Sequence, residues 1–208
     1  EIGVRLVGSE MCIRDSRHST FVRSEKNKMI LWITGISGSG KTTLGKQFYK
    51  EFTKRKKNTI YLDGDEFRSL FGNDLKYTIK DRDTNAKRMT SFVKYISAQK
   101  INLIISANIT SEKYRKWCRK NLKNFLQIYI RATINQLKKR DYKKLYNRAL
   151  RGKIKNVVGV DLPFNEPKNI DLFLENNGSK KNFLEKTRLV NRLSLIHISE
   201  PTRRTPIS

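Results

Sequence analysis

The sequence predicts an α/β fold: a three-layer sandwich on a mostly parallel five-stranded sheet, closed by a basic lid. Three observations predict it. Met29-Ile-Leu-Trp-Ile-Thr34 is a nearly continuous apolar run that leads directly into TGISGSGKTT, residues 34–43, as a buried parallel strand leads into a phosphate-binding loop. Strand-like and helix-like segments alternate beyond it, the pattern of a doubly wound sheet. Asp63-Gly-Asp65 then closes the second apolar run, at the strand end where open parallel sheets carry their ligand groups. Together these place the chain in the P-loop NTPase type.

The elements follow in order. After the loop, Leu44, Phe48 and Phe52 recur at four-residue spacing, which predicts an amphipathic helix from Thr42 to about Lys57 with a Lys-rich outer face. Thr59-Ile-Tyr-Leu-Asp63 reads as the second strand. A charged helix is expected from about Lys80 to Gln99, turning Ala86, Met89, Phe92, Val93 and Ile96 inward. Ile101 to Ala107 is the third strand, Ser111 to Asn121 a helix, Phe125 to Ile130 the fourth strand, and Ile134 to Lys139 a short helix. Asp141 to Pro167 is basic, contains Gly152 and Gly159 and lacks a long apolar face, so it is expected to be a mobile lid. Ile170 to Leu174 is the fifth strand, and Asn182 to Asn191 a last helix.

A chain of 208 residues accommodates one well-buried domain. No apolar run approaches the roughly 20 residues a membrane helix needs, so no membrane partner is expected. The formal net charge of +26 would suit nucleic acid, but the basic residues are scattered through every segment and accompany no zinc pattern, basic zipper or aromatic RNA-binding strand. Nucleic acid is therefore not the expected partner, whereas an anionic small substrate gains from the same field. Oligomeric state stays open, a homodimer included.

Both ends stand apart. Ser9-Glu-Met-Cys-Ile-Arg-Asp-Ser16 and Leu193-Ser-Leu-Ile-His-Ile-Ser-Glu200 can be encoded by opposite strands of one DNA duplex that looks like a transposase sequencing adapter. Residues 1–16 and 193–208 are accordingly expected to be assembly artefacts, residues 17–28 a polar lead-in that is partly native at most, and 29–192 the domain, with its lid at about 141–167. Setting the ends aside removes Cys12 and His197 and leaves Cys118, expected to be a packing residue, as the one cysteine. A disulfide framework and a cysteine metal site are thereby excluded, and a reducing cytoplasm is the expected compartment.

The chemistry starts at the loop. Gly35, Gly40, Lys41 and Thr42 satisfy G-x-x-x-x-G-K-[ST]. Backbone N–H groups at Gly35, Ser37, Gly38, Ser39, Gly40 and Thr43 are expected to cradle phosphates at a helix N-terminus. Lys41 would reach the β- and γ-phosphates, and the Thr42 hydroxyl would ligate Mg2+. Asp63 and Asp65, separated only by Gly64, can serve one site: one holds a magnesium-bound water while the other takes the acceptor hydroxyl's proton.

ITGISGSGKTTLGK, LDGDEFR, DRDTNAKRM, RDYKKLYNRALRGKIKNVVGVDLPFNEP and IDLFLE resemble, in order and approximate spacing, the motifs of the adenylylsulfate kinases. That family uses ATP to phosphorylate the ribose 3′-hydroxyl of adenosine 5′-phosphosulfate in sulfate assimilation. The resemblance implies ATP and Mg2+ as cofactors, adenosine 5′-phosphosulfate as acceptor, and Lys41, Asp65 and Thr110 as catalytic. It implies Thr42 and Asp63 at the metal. Around the substrate it implies Asp65 and Arg68 (from DGDxxR), Arg82 and Asn85 (from DRxxN), an aromatic base platform at Tyr77, Ile109 and Thr110, and Lys143 and Val157 in the lid. The chain departs from the family at three places. SAFISPYR becomes SANITSEKYR, so Thr110 replaces a serine sometimes assigned as a phosphorylated intermediate. FTGID becomes Val157-Val-Gly-Val-Asp161, which removes an aromatic that stacks on the second face of adenine, and the glycine of KGLY becomes Lys144. A relative phosphorylating another small hydroxyl compound, in surface-polysaccharide metabolism for example, and a nucleotide-dependent RNA-binding protein are the alternatives.

Overall fold

The structure, a computed structural model, describes residues 28–141, 144–179 and 181–188. The suspected adapter ends, the lead-in up to residue 27, Lys143 and the last residues of the expected C-terminal helix lie outside the described residues. The strands are β1 (Ile30–Thr34), β2 (Thr59–Asp63), β3 (Asn102–Ser106), β4 (Phe125–Arg131) and β5 (Leu172–Glu175). They form one sheet in the order β2-β3-β1-β4-β5, and every pairing is parallel. Strand β1 is where the order reverses: β3 and β2 lie on one side of it, β4 and β5 on the other. The loop after β1 therefore opens at the switch point, the position at which open sheets bind ligands.

Strand alternation sorts the core into two layers. Ile30 and Trp32 of β1 and Leu103 and Ile105 of β3 face one layer, completed by Phe67, Ala86, Met89, Val93 and Cys118. These come from α2 (Gly64–Ser69), α3 (Ile79–Ala98) and α4 (Glu112–Asn121). Leu31, Ile33 and Ile104 face the other, packing on Leu44, Phe48 and Phe52 of α1 (Lys41–Thr53) and on Phe183 from the helical residues 181–188. The apolar positions expected to turn inward on α1 and α3 do so, with Phe92 and Ile96 partly buried at the edge. None of the helices described is long and apolar enough to cross a membrane.

Two expectations need correction. The fifth strand starts two residues late, because the Asp171 carboxylate is occupied as a polar anchor: it accepts from Arg119 Nη1 (3.0 Å) and Nη2 (2.7 Å) and from the Gln127 N–H (2.7 Å). At Asp63-Gly-Asp65 the chain passes directly into α2, which Asp63 caps by accepting from the Asp65 N–H. The lid segment carries an apolar face after all. It contains α6 (Leu145–Leu150), and Tyr146, Val157 and Val158 are buried against Ile36, Ala132 and Leu137, the last from α5 (Ile134–Arg140). That face is assembled from three separated stretches, so it has no periodicity along the chain.

Candidate active site

The phosphate loop is built by close packing that only glycine permits. A Cβ on Gly35 would stand 2.5 Å from the Ile130 carbonyl oxygen. Gly40 caps α1 in the left-handed region at φ 107°, with no side-chain cap and no acidic residue in the first turn. A first turn without an acidic residue suits an anion at the helix N-terminus. Lys41 Nζ donates to the Ile36 carbonyl across the loop (3.0 Å). Ser39 Oγ is buried and finds no hydrogen-bond partner among the described residues. Two supports come from residues not expected at the loop. The Asn176 amide donates to the Ser39 carbonyl (2.8 Å), and the Tyr146 hydroxyl of the lid donates to the Ser37 carbonyl (2.7 Å). Asn176 directly follows β5 and Tyr146 lies in RDYKKLY, yet nothing in their spacing signals contact with residues far away in the chain.

Thr42 and Asp63 meet: Thr42 Oγ1 donates to Asp63 Oδ2 at 2.9 Å, and Asp63 Oδ1 accepts from the Asp65 N–H at 2.9 Å. Tyr61, not anticipated here, donates its hydroxyl to the same Oδ2 at 3.2 Å. Burial above all, with the Asp63 charge adding to it, pushes the Tyr61 phenol up to about 12. A hydroxyl and a carboxylate beside a phosphate loop fit Mg2+, which takes hard oxygen ligands and keeps waters and phosphate oxygens for the rest. Among the described residues no group of three or more His, Cys, Asp and Glu forms a cage of another kind.

On the acceptor side Arg68 and Arg82 flank the Tyr77 ring, their guanidinium carbons 4.8 Å and 5.4 Å from its centroid. Arg68 is held by the Leu75 and Lys76 carbonyls (3.3 and 3.0 Å). Arg82 donates to the Tyr77 carbonyl (2.9 Å) and, across to the lid, to the Asn156 carbonyl (2.8 Å). Burial, followed by the like charge of Arg68, lowers the Arg82 pKa, although a guanidinium stays charged. Two crowded cations over one half-exposed ring make a seat for an anion attached to a flat group. Asn85 Oδ1 is buried and finds no hydrogen-bond partner among the described residues, an acceptor available to a ligand donor. Arg88, by contrast, is spent on a surface pair with Asp74 (2.8 Å).

Other expected residues are placed differently. The Ile109 side chain is buried in the core, and Arg115 fixes its turn by donating to the Ile109 and Thr110 carbonyls (2.8 and 2.9 Å). Val157 is also turned inward, only 5% exposed, its N–H held by Asp161 (2.6 Å). Gly64 brings the DGD turn against the end of β3, since a Cβ there would lie 3.0 Å from that of Ala107. Asp65 thus stands at the sheet edge where SANIT begins.

Comparison with known proteins identifies the family and the fold. The family described as adenylylsulphate kinase matches residues 27–175. Cytidine diphosphoramidate kinase of Campylobacter jejuni is 39% identical over 166 residues, covering 80% of this chain and 96% of that protein. Adenylyl-sulfate kinase of Buchnera aphidicola is 33% identical over 165 residues, covering 77% and 80%. Among solved structures, the Mycobacterium tuberculosis APS kinase CysC in complex with AMPPNP and APS superposes with a TM-score of 0.71 at 26% identity, covering 81% of this chain and 98% of that one.

Proposed function

The chain belongs to the adenylylsulphate kinase family, and from that premise we propose that it transfers the γ-phosphoryl group of ATP to a ribose hydroxyl of a nucleotide with a substituted 5′-phosphate, cytidine diphosphoramidate being the acceptor best supported. In this account the N-terminus of α1 and Lys41 hold the donor phosphates. Thr42 and Asp63 would hold Mg2+, which would supply neutralisation of the charge developing on those phosphates. Asp65 accepts the acceptor hydroxyl's proton as its oxygen bonds to the γ-phosphorus and ADP departs. Arg68 and Arg82 pair with the acceptor's anionic 5′ end, Tyr77 stacks on its base, and Asn85 accepts one of its donors. The Thr110 hydroxyl orients the acceptor, with no covalent intermediate. Catalysis is positioning and charge neutralisation.

The observation that carries the acceptor assignment is the burial of Val157. With it turned into the lid core, the base has one aromatic face, Tyr77, in place of two. Stacking contributes about 1–3 kcal/mol per base, so losing the second face removes much of what a large purine gains over a pyrimidine. The 39% identity to a kinase of a cytidine nucleotide, over nearly its full length, supports the same choice. Adenosine 5′-phosphosulfate is the second reading, favoured by LDGDEFR and DRDTNAKRM and by the adenylyl-sulfate kinase relatives. Purified protein supplied with ATP, Mg2+ and each acceptor in turn, with products identified by mass, tests both. Phosphorylated cytidine diphosphoramidate is the expected product. Turnover of a free sugar or other simple alcohol, with neither nucleotide accepted, would overturn the proposal.

A further inference from the structure

We propose that Tyr61 is a positioning residue of the magnesium–phosphate centre, its hydroxyl holding the Asp63 carboxylate in the orientation that serves the metal. The proposal rests on Thr42 and Asp63 serving Mg2+ as described above, and it assigns a role to a residue outside the phosphate loop and the acceptor motifs. Along β2 the two-residue period puts Tyr61 and Asp63 on one face of the strand. That face looks toward α1. The Tyr61 hydroxyl then reaches Asp63 Oδ2 (3.2 Å), the oxygen that also accepts from Thr42 Oγ1 (2.9 Å), while Oδ1 is taken by the Asp65 N–H (2.9 Å). Three donors pin one carboxylate.

Thr42 has a single proton to give, and its oxygen is the expected metal ligand. Without Tyr61, the same small hydroxyl would have to bind the cation and alone fix Oδ2. With Tyr61, the carboxylate is held from the protein side whatever Thr42 does. The surroundings are shaped for this. Gly45 on α1 clears the space: a Cβ there would lie 2.7 Å from Tyr61 Cε2 and 2.2 Å from Ser106 Oγ. Ser106, in register with Asp63, donates to the Lys41 carbonyl (3.0 Å), so the packed face that seats Tyr61 also ties down the backbone of the loop lysine. From outside, the Tyr49 ring rests on the Tyr61 ring with centroids 6.1 Å apart. A ring locked on both sides delivers its hydroxyl with little remaining freedom, as residues supporting metal ligands do.

Tyr61→Phe removes the hydroxyl and keeps the ring and its packing. Calorimetric titration with ADP, with and without Mg2+, reads the metal site without requiring turnover or any acceptor. The expected result is unchanged metal-free ADP affinity together with a loss of about tenfold in the strengthening that Mg2+ provides. The Mg2+ concentration for half-maximal activity should rise to match, with acceptor KM unchanged, and Tyr49→Phe should alter none of these. Equal weakening of ADP binding with and without metal would show a packing role and overturn the proposal. An unaltered magnesium response in Tyr61→Phe would overturn it as well. If the unmodified protein itself binds ADP no better with Mg2+, the magnesium assignment falls and the role of Tyr61 falls with it, whereas failure of an acceptor alone leaves this readout untouched.

Discussion

Single side chains divide the site into a half written in the sequence and a half written only in space. The spacing of Gly35, Gly40, Lys41 and Thr42 marks a phosphate loop because the chemistry is local: each residue acts within a few positions of the others. Tyr61, Tyr146 and Asn176 touch that machinery from remote points in the chain, and no spacing rule reports such contacts. Val157 sits in a motif that suggested a ligand contact, and its side chain is buried among the apolar residues of the lid. Tyr77→Ala should raise acceptor KM about 10–100-fold, the equivalent of one base stack, with little change in KM for ATP. Steady-state kinetics varying each substrate separately check this, and an equal effect on both substrates would remove Tyr77 from the acceptor site. Cys118 is inert by environment: burial pushes its thiol up to about 12, so the thiol form dominates at neutral pH. Thiol titration should detect no reaction at that residue until the protein is unfolded.

At the scale of elements, long periodic stretches were legible, as was the short helix α5, while α2 and α6 were not. The apolar spacing of α1 and α3 spans several turns. Helices α2 and α6 have only six residues each, too few for a face to repeat. Helix α1 carries both fold and function, since its buried side holds the sheet while its first turn opens on the phosphate loop. Phe48, 1% exposed, should therefore cost about 3–5 kcal/mol on truncation to Ala, read as a lowered denaturation midpoint in urea. The lid is joined to the loop by the Tyr146 hydrogen bond. Tyr146→Phe should lower stability by about 1 kcal/mol and reduce kcat several-fold, because the Ser37 carbonyl loses its anchor. A wild-type kcat in that variant would show that the contact is structural alone.

For the whole molecule, the parallel sheet follows from features the sequence did display, since helical connections between successive strands favour parallel pairing, whereas the strand order β2-β3-β1-β4-β5 came from the structure alone. The strong positive charge had no such structural signature, and its most direct use is attraction of anionic substrates. Raising ionic strength should increase acceptor KM more than it lowers kcat, because screening acts on encounter and on the half-exposed Arg82 contacts. The proposed function turns on which nucleotide the chain phosphorylates, with Arg68, Tyr77 and Arg82 as its proposed seat. A direct competition decides it: equal concentrations of cytidine diphosphoramidate and adenosine 5′-phosphosulfate with limiting ATP, a Lys41→Ala control, and both phosphorylated products counted by mass spectrometry. The account predicts that the cytidine product predominates and that the control makes neither. Predominance of the adenosine product would contradict the acceptor assignment, and phosphoryl transfer by Lys41→Ala would contradict the site itself.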